Sequence, residues 1–336
     1  MNILGDLRNK LLLGFSVGVA VVLALIIFSD LRELGRTLED FRWEFLPLIL
    51  GLTLGNYGLR FVKWHYYLAR IGAGAVQVGT SFAIFLSGLT MAMTPGKVGE
   101  ILKSVLLRRV SGTPVSVSAP IVMAERLTDG VALLILSAGG LFLFRVGWQV
   151  LLLIGIGALG IIVVSATDLG RHLILSLVER LPLLRTRTAH VTALYDSSRS
   201  LLAPAPLAVG VGLGILSWAG ECVAFYLVLV GLGQEASWRL LLLAAFVLGV
   251  STLLGSASLL PGGLGVADAT VAALLLLTLP AGAMNRSEAV AATLLIRFCT
   301  LWFGAALGVL TLLLARRTFE PRPEVTAREF TGSNAV

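Results

Sequence analysis

The sequence predicts an all-α, polytopic integral membrane protein, and three observations carry that prediction. Apolar residues make up 57% of the 336 positions and charged ones 13%, where a soluble globular domain is about a quarter charged. Uncharged apolar stretches recur from residue 11 to residue 315, which leaves no room for a polar-surfaced domain of ~100 residues. Two of these stretches are interrupted by Pro-Gly pairs, the mark of helices broken inside a membrane rather than ended at its surface.

The first apolar run, Leu11 to Phe28, follows Arg8 and Lys10 and so resembles a secretory leader. It exceeds the apolar core of about 7–15 residues such leaders carry, and it ends in Ser29-Asp30-Leu31-Arg32 without a small-x-small cleavage pattern. It reads as a retained span that starts in the cytoplasm. A span needs ~20 apolar residues at about 1.5 Å each. Residues 11–29, 46–68, 118–144, 148–166, 206–231 and 289–314 supply them.

Two regions are different. Residues 80–110 break at Met93-Thr94-Pro95-Gly96, and residues 239–280 at Leu260-Pro261-Gly262-Gly263. Proline removes a backbone donor and glycine loosens the chain beside it. Each region therefore reads as a re-entrant helix pair, formed either as a hairpin or as two tightly joined spans. Pro95, Gly96, Gly99, Pro261, Gly262, Gly263 and Gly265 are assigned to the turns, where they act as hinges that gate access.

Basic residues set the orientation, since short loops rich in Lys and Arg stay in the cytoplasm. Arg8, Lys10, Arg70, Arg108, Arg109, the group from Arg171 to Arg199, and Arg316 to Arg328 all fall on one side. Both termini are then cytoplasmic, and the chain belongs in the cytoplasmic, or inner, membrane. Asp30 to Phe45 carries Arg32, Arg36 and Arg42, accompanied by Glu33, Glu39, Asp40 and Glu44, and is placed outside. One transmembrane domain covers residues 1–315, with a connector at 168–204 and a polar tail at 316–336. In the connector Leu173, Ile174, Leu177, Val178 and Leu181 share a helical face suited to the headgroup region.

The net charge of +7 does not indicate nucleic acid, because the 26 basic residues are scattered between apolar segments. Anionic lipid headgroups are the expected partner. Cys222 and Cys299 lie inside apolar runs and offer neither a disulfide framework nor a thiolate metal site. His65, His172 and His190 form no zinc pattern, and HExxH, GxxxxGK[ST] and GxSxG are absent, so no enzyme activity, metal or cofactor is expected.

The two broken regions resemble each other. Pro95-Gly96-Lys97-Val98-Gly99-Glu100 matches Pro261-Gly262-Gly263-Leu264-Gly265 and then Asp268, while Ser116 and Ser287 each stand ten residues before Arg126 and Arg297. Repeat one covers about 46–166 and repeat two about 206–314. Because the first pair is entered from the cytoplasm and the second from outside, the repeats are inverted, a transporter architecture whose broken helices meet near the bilayer midplane. Arg126 and Arg297 each lie ~15 Å deep by helical rise, so they are expected to approach one cavity.

Charges at that depth need protein or water around them. Glu125 and Asp129 stand at i and i+4 on one face of their helix, with Arg126 about 100° round. They read as a polar cavity in which Arg126 binds an anionic headgroup, or as an ion cluster that packs helices. Lys97, Glu100 and Lys103 open the helix after the first break, where amides and dipole suit a phosphate; Glu100 reads equally as a cap or as a partner of Lys97 or Lys103. Arg297 is alone in its span, with Asp268, Glu221 or a lipid phosphate as its counter-charge. Glu221 reads as a substrate contact or as that neutralising partner. Asn56, Arg60, Lys63 and Trp64 recur at helical spacing and read mainly as interfacial anchors that snorkel.

Met93-Thr94-Pro95-Gly96-Lys97-Val98-Gly99-Glu100, Glu125-Arg126-Leu127-Thr128-Asp129 and Leu260-Pro261-Gly262-Gly263-Leu264-Gly265 together resemble the transmembrane flippase region of the lysylphosphatidylglycerol synthase/flippase family, over roughly residues 10 to 315. The resemblance implies movement of a lipid headgroup between leaflets. The family's soluble aminoacyltransferase domain has no counterpart in these residues, so aminoacylation is not expected. The expected substrate is an anionic phospholipid, aminoacylated or not, or a polyprenyl-phosphate-linked lipid. Alternatives are an ion-coupled carrier of a small soluble anion and a non-transporting membrane partner of a lipid-modifying glycosyltransferase. A homo-oligomer or a lipid-modifying enzyme are the protein partners for which the sequence leaves room.

Overall fold

The computed structural model describes residues 3–93, 100–144, 148–167, 170, 172, 176 and 188–319, and among them there is no strand. The first apolar helix, α1 (Ile3–Phe28), stops at Ser29-Asp30, where the Asp30 carboxylate accepts the amides of Arg32 and Glu33 at 2.8 and 3.1 Å. That cap starts α2 (Leu31–Glu39) on a new axis, bent by 100° from the first. Only Leu34 of α2 is buried, so the helix lies across one end of the bundle with its charges outward. Next come α3 (Leu46–Arg70), α4 (Val78–Leu89), a tight turn at Thr90–Met93, and α5 (Leu102–Ser111), which ends at Gly112 with a φ of +73°. The long helix α6 (Val115–Phe144), α7 (Trp148–Ala166) and α8 (Thr188–Leu201) come after it.

The second half holds α9 (Pro204–Gly231), α10 (Trp238–Ala257), a turn at Pro261–Gly263 and α11 (Val266–Thr278). Its last span begins as α12 (Arg286–Arg297), widens to a π-helical turn over Phe298–Trp302, and continues as α13 (Phe303–Leu314). Among the described residues five helices are long and apolar enough to cross a membrane, and up to six when α1 and α2 count as one bent span. At 30 residues α6 is ~45 Å long, also beyond a ~30 Å hydrocarbon core. The protein is an all-α, multi-pass membrane protein.

The two Pro-Gly regions are built differently. In the first, α4 and α5 have 12 and 10 residues, ~18 and ~15 Å, and pack on each other without length to cross. They form a short hairpin. In the second, α10 has 20 residues, ~30 Å, and Pro261–Thr278 is a further candidate span. This region is a pair of joined spans. The two regions touch: Thr90–Met93 packs on Pro261–Gly263, and the Ala92 carbonyl faces Gly262.

The loops sort into two ends. At one, Glu33 accepts hydrogen bonds from Asn285 Nδ2 (3.1 Å) and Ser287 Oγ (3.0 Å), Gln234 donates to Ala283 O (2.7 Å), and the Arg42 amide donates to Gly231 O (3.1 Å). At the other, Tyr195 donates to Thr167 O (2.7 Å), and Phe319 is buried in the same core as Leu106 and Leu201, near the helix C-termini that carry Arg70, Arg108, Arg109 and Arg199. This second end is the basic end. The connector residues Leu173, Ile174, Leu177, Val178 and Leu181, and the tail from 320 to 336, lie outside the described residues.

One apolar core gathers Phe225, Phe246, Leu253, Leu275 and Ile296, the other Trp64, Tyr67, Ile84, Leu107 and Ile121. Within the first, α6 crosses α10 at small residues, a close approach on which helix packing in lipid relies. A Cβ on Gly140 would strike Phe246 and the Leu242 carbonyl, whereas one on Gly51 meets nothing. Gly140→Ala is expected to cost about 1–3 kcal/mol in detergent unfolding, and Gly51→Ala no loss. Equal stability of the two variants would show that this crossing is loose.

Candidate functional site

The charges in mid-α6 point in two directions. Glu125 and Asp129, one turn apart, face inward: Lys103 Nζ donates to Glu125 Oε2 and Lys63 Nζ to Asp129 Oδ1, both at 2.5 Å. The Lys103 ammonium also lies over the Trp64 ring, 4.5 Å from its centroid, a cation–π contact. Arg126 turns toward Glu100, whose Oε2 accepts its Nε at 2.9 Å and Nη2 at 2.8 Å. Arg60 and Arg126 reach Asp129 Oδ2 only at 3.8 and 4.0 Å.

A similar tie stands in the other half. Gly262, Gly263 and Gly265, with φ of +60°, +67° and +84°, carry the chain from α10 into α11 through backbone that other residues resist. Asp268, in the first turn of α11, accepts the Gly265 amide at 2.8 Å with Oδ2 and Arg297 Nε at 2.5 Å with Oδ1. It both caps the helix and holds the arginine. Just after Arg297 the π-helical turn alters the i→i+4 ladder, and the Thr300 carbonyl accepts the Tyr57 hydroxyl at 2.6 Å.

Arg126 and Arg297 line one cavity of about 880 Å³, a volume typical of small-molecule sites. Arg60, Glu100, Lys103, Asp129 and Glu221 are further charged residues of its lining, and Phe85, Met123, Leu133, Ile161, Leu248 and Leu301 are among the apolar ones. The lining runs along α6 from Ala119 to Leu133 and α7 from Ile154 to Ser165, and includes Leu194, Ser198 and Leu202. The cavity thus extends from mid-membrane toward the basic end.

Several sequence expectations change here. Glu100 pairs with Arg126, a partner 26 residues on that the helix-opening reading does not contain. Arg297 takes Asp268, the first of the counter-charges the sequence offers, and not Glu221. Glu125 and Asp268 stand behind the wall, each holding a cation that lines it. Lys63 does not snorkel: its side chain is 1% exposed and ion-paired, and Trp64 is wholly buried beside it. Arg60 and Asn56 line the cavity instead of serving chiefly as anchors; Asn56 also donates to Ser217 O at 2.9 Å. The 56, 60, 63 spacing marks one face of α3 as polar, but not which neighbour that face meets. Of the described hinge residues only Gly262 lines the cavity. Pro95, Gly96, Lys97 and Gly99 lie outside the described residues. Among the described residues no cluster of His, Cys, Asp and Glu is arranged to hold a metal ion.

Comparison with known proteins adds a family. The profile of the lysylphosphatidylglycerol synthase transmembrane region matches residues 15–308. A UPF0104 membrane protein of Methanothermobacter thermautotrophicus is 26% identical over 314 residues, 88% of this chain and 91% of the relative. A further match to a UPF0104 membrane protein of that organism is 32% identical over 103 residues, 31% of this chain and 28% of the relative.

Proposed function

Because the chain belongs to the family of the lysylphosphatidylglycerol synthase transmembrane region, we propose that it is a lipid translocase of the cytoplasmic membrane. It moves a lipid with a phosphate headgroup between leaflets, with its basic end and both termini in the cytoplasm. One observation carries this reading: Arg126 and Arg297, from the two halves of the chain, line a single cavity whose remaining lining is mostly apolar. A guanidinium is suited to a phosphate, and an apolar lining suits an acyl or prenyl chain.

The two carboxylate ties supply a cycle. A phosphate arriving at Arg126 competes with Glu100, and one at Arg297 competes with Asp268. Each exchange loosens the return helix of one broken region from the helix after it. If the halves are inverted repeats, the two releases open the cavity to opposite leaflets, and the lipid shifts the equilibrium only through its different hold on the two states. The cavity extending toward the basic end corresponds to the inward-open member.

The test is leaflet exchange of labelled phosphatidylglycerol and labelled polyprenyl phosphate in liposomes. Wild-type protein is expected to speed exchange of at least one, and Arg126→Ala and Arg297→Ala each to slow it at least about tenfold, the loss of one charged hydrogen-bond partner or more. Wild-type rates in both variants would remove the arginines from the mechanism. No exchange of either lipid, with uptake of inorganic phosphate instead, would replace translocation with carriage of a small anion.

A further inference from the structure

Glu100, Glu125, Asp129 and Asp268 each have a cation within 2.9 Å, and Glu221 is different. It is 3% exposed, lines the cavity and forms no ion pair among the described residues; the Thr53 hydroxyl lies beside it, but its Oε2 makes no hydrogen bond there. The cation that acts on it electrostatically is Arg60, across the cavity wall on α3. One turn earlier on α9, the indole N–H of Trp218 is also buried and without a partner, and Trp218 lines the same cavity. Among the other buried polar atoms without a hydrogen-bond partner, Arg297 Nη2 and Asp129 Oδ2 also belong to residues that line the cavity. A buried polar atom left unpaired costs free energy, and here two acceptors and two donors are left unpaired on residues that line one cavity.

We propose that Glu221 and Trp218 form a headgroup subsite that receives a hydroxyl, so that the cavity selects a phosphodiester bearing a polyol or sugar. It rests on the reading of this cavity as the seat of a lipid headgroup. A hydroxyl donates to Glu221 Oε2 and accepts from Trp218 Nε1 with the same oxygen, and the phosphate next to it takes Arg297 Nη2. An ammonium group satisfies Glu221 but leaves the indole N–H unpaired, because it has no lone pair. A headgroup ending in methyl leaves both unpaired. Sites that hydrogen-bond a substrate hydroxyl reject analogues lacking it far more strongly than apolar pockets reject a missing methylene.

The test uses three short-chain lipids, dihexanoyl phosphatidylglycerol, phosphatidylethanolamine and phosphatidylmethanol. The first readout is the thermal stabilisation that each gives to the full chain in detergent, which reports binding without transport. Phosphatidylglycerol is expected to act at a concentration at least about tenfold below phosphatidylmethanol. Glu221→Ala and Trp218→Phe each reduce that preference, Glu221→Ala abolishes it, and Glu221→Gln, which keeps an acceptor oxygen, retains part of it. Equal action of the three lipids, no action of any, a preference for phosphatidylethanolamine, or a preference unchanged in Trp218→Phe overturns the subsite. The wild-type comparison and Trp218→Phe decide the matter if the Glu221 variants do not fold. Leaflet exchange is the second readout: selective stabilisation without exchange of any lipid refutes translocation and leaves the subsite standing, and exchange without selectivity does the reverse.

Discussion

Replacing Lys63 by methionine is expected to destabilise the protein by about 3–5 kcal/mol, a large part of the net stability of a folded domain. The ammonium is 1% exposed and donates to Asp129 Oδ1 at 2.5 Å. Without it the Asp129 carboxylate, itself buried, keeps only Arg60 at 3.8 Å and Arg126 at 4.0 Å. Neither distance is a hydrogen bond, so a charge is left nearly bare in a helix contact. Removing the charge from both sides, as Lys63→Met with Asp129→Asn, is expected to recover at least half of the loss, since an ion pair replaced as a pair is close to neutral. A snorkelling lysine at the membrane surface would behave otherwise, with a loss below about 1 kcal/mol and no rescue. Thermal and denaturant unfolding of the four proteins in detergent, read as a double-mutant cycle, separates these outcomes.

Lys63 also shows where sequence reading stops. Hydropathy and the spacing of basic loops locate α3, α9 and the last span within a few residues, because lipid demands length and apolarity of each segment by itself. The Pro-Gly turn at 261–263 is legible for a similar reason: only glycine readily takes the positive φ found at Gly262, Gly263 and Gly265. Counting helical rise leads to the expectation that Arg126 and Arg297 approach one cavity, and both line it. Which carboxylate each arginine takes does not follow from that count, since Glu100 and Asp268 are 26 and 29 residues away and the choice is made by tertiary packing. A lysine two turns from a cytoplasmic loop reads as an anchor until α3 is seen packed between α6 and α9. The short hairpin of α4 and α5 against the longer pair of α10 and α11 is likewise a matter of where helices end, the feature that propensity specifies least.

The ties at Glu100 and Asp268 offer the sharper test of how the two halves cooperate. Asp268→Ala removes the acceptor of Arg297 Nε and the cap of α11 together, and is expected to cost about 3–5 kcal/mol, of which the cap is about 1. Asp268→Asn keeps an oxygen for the Gly265 amide and is expected to recover the capping share while leaving Arg297 equally unneutralised, so the two variants should differ in stability but not in lipid exchange. If the broken regions are related by inversion, releasing one tie favours the state open to the basic end and releasing the other favours its opposite. A reporter position exists at Ser198, which lines the cavity toward that end. With Cys222 and Cys299 replaced by alanine and Ser198→Cys installed, labelling by a membrane-impermeant thiol reagent added on the basic side is expected to change by at least about fivefold in Glu100→Ala and in Asp268→Asn, in opposite directions. Shifts of the same sign, or no shift in either, would mean that the two halves, whatever their shared Pro-Gly strings, do not work against each other. Opposite shifts would make the exchange of a carboxylate for a phosphate at each arginine the step that turns binding into movement, because only a ligand held differently by two states can move a protein between them.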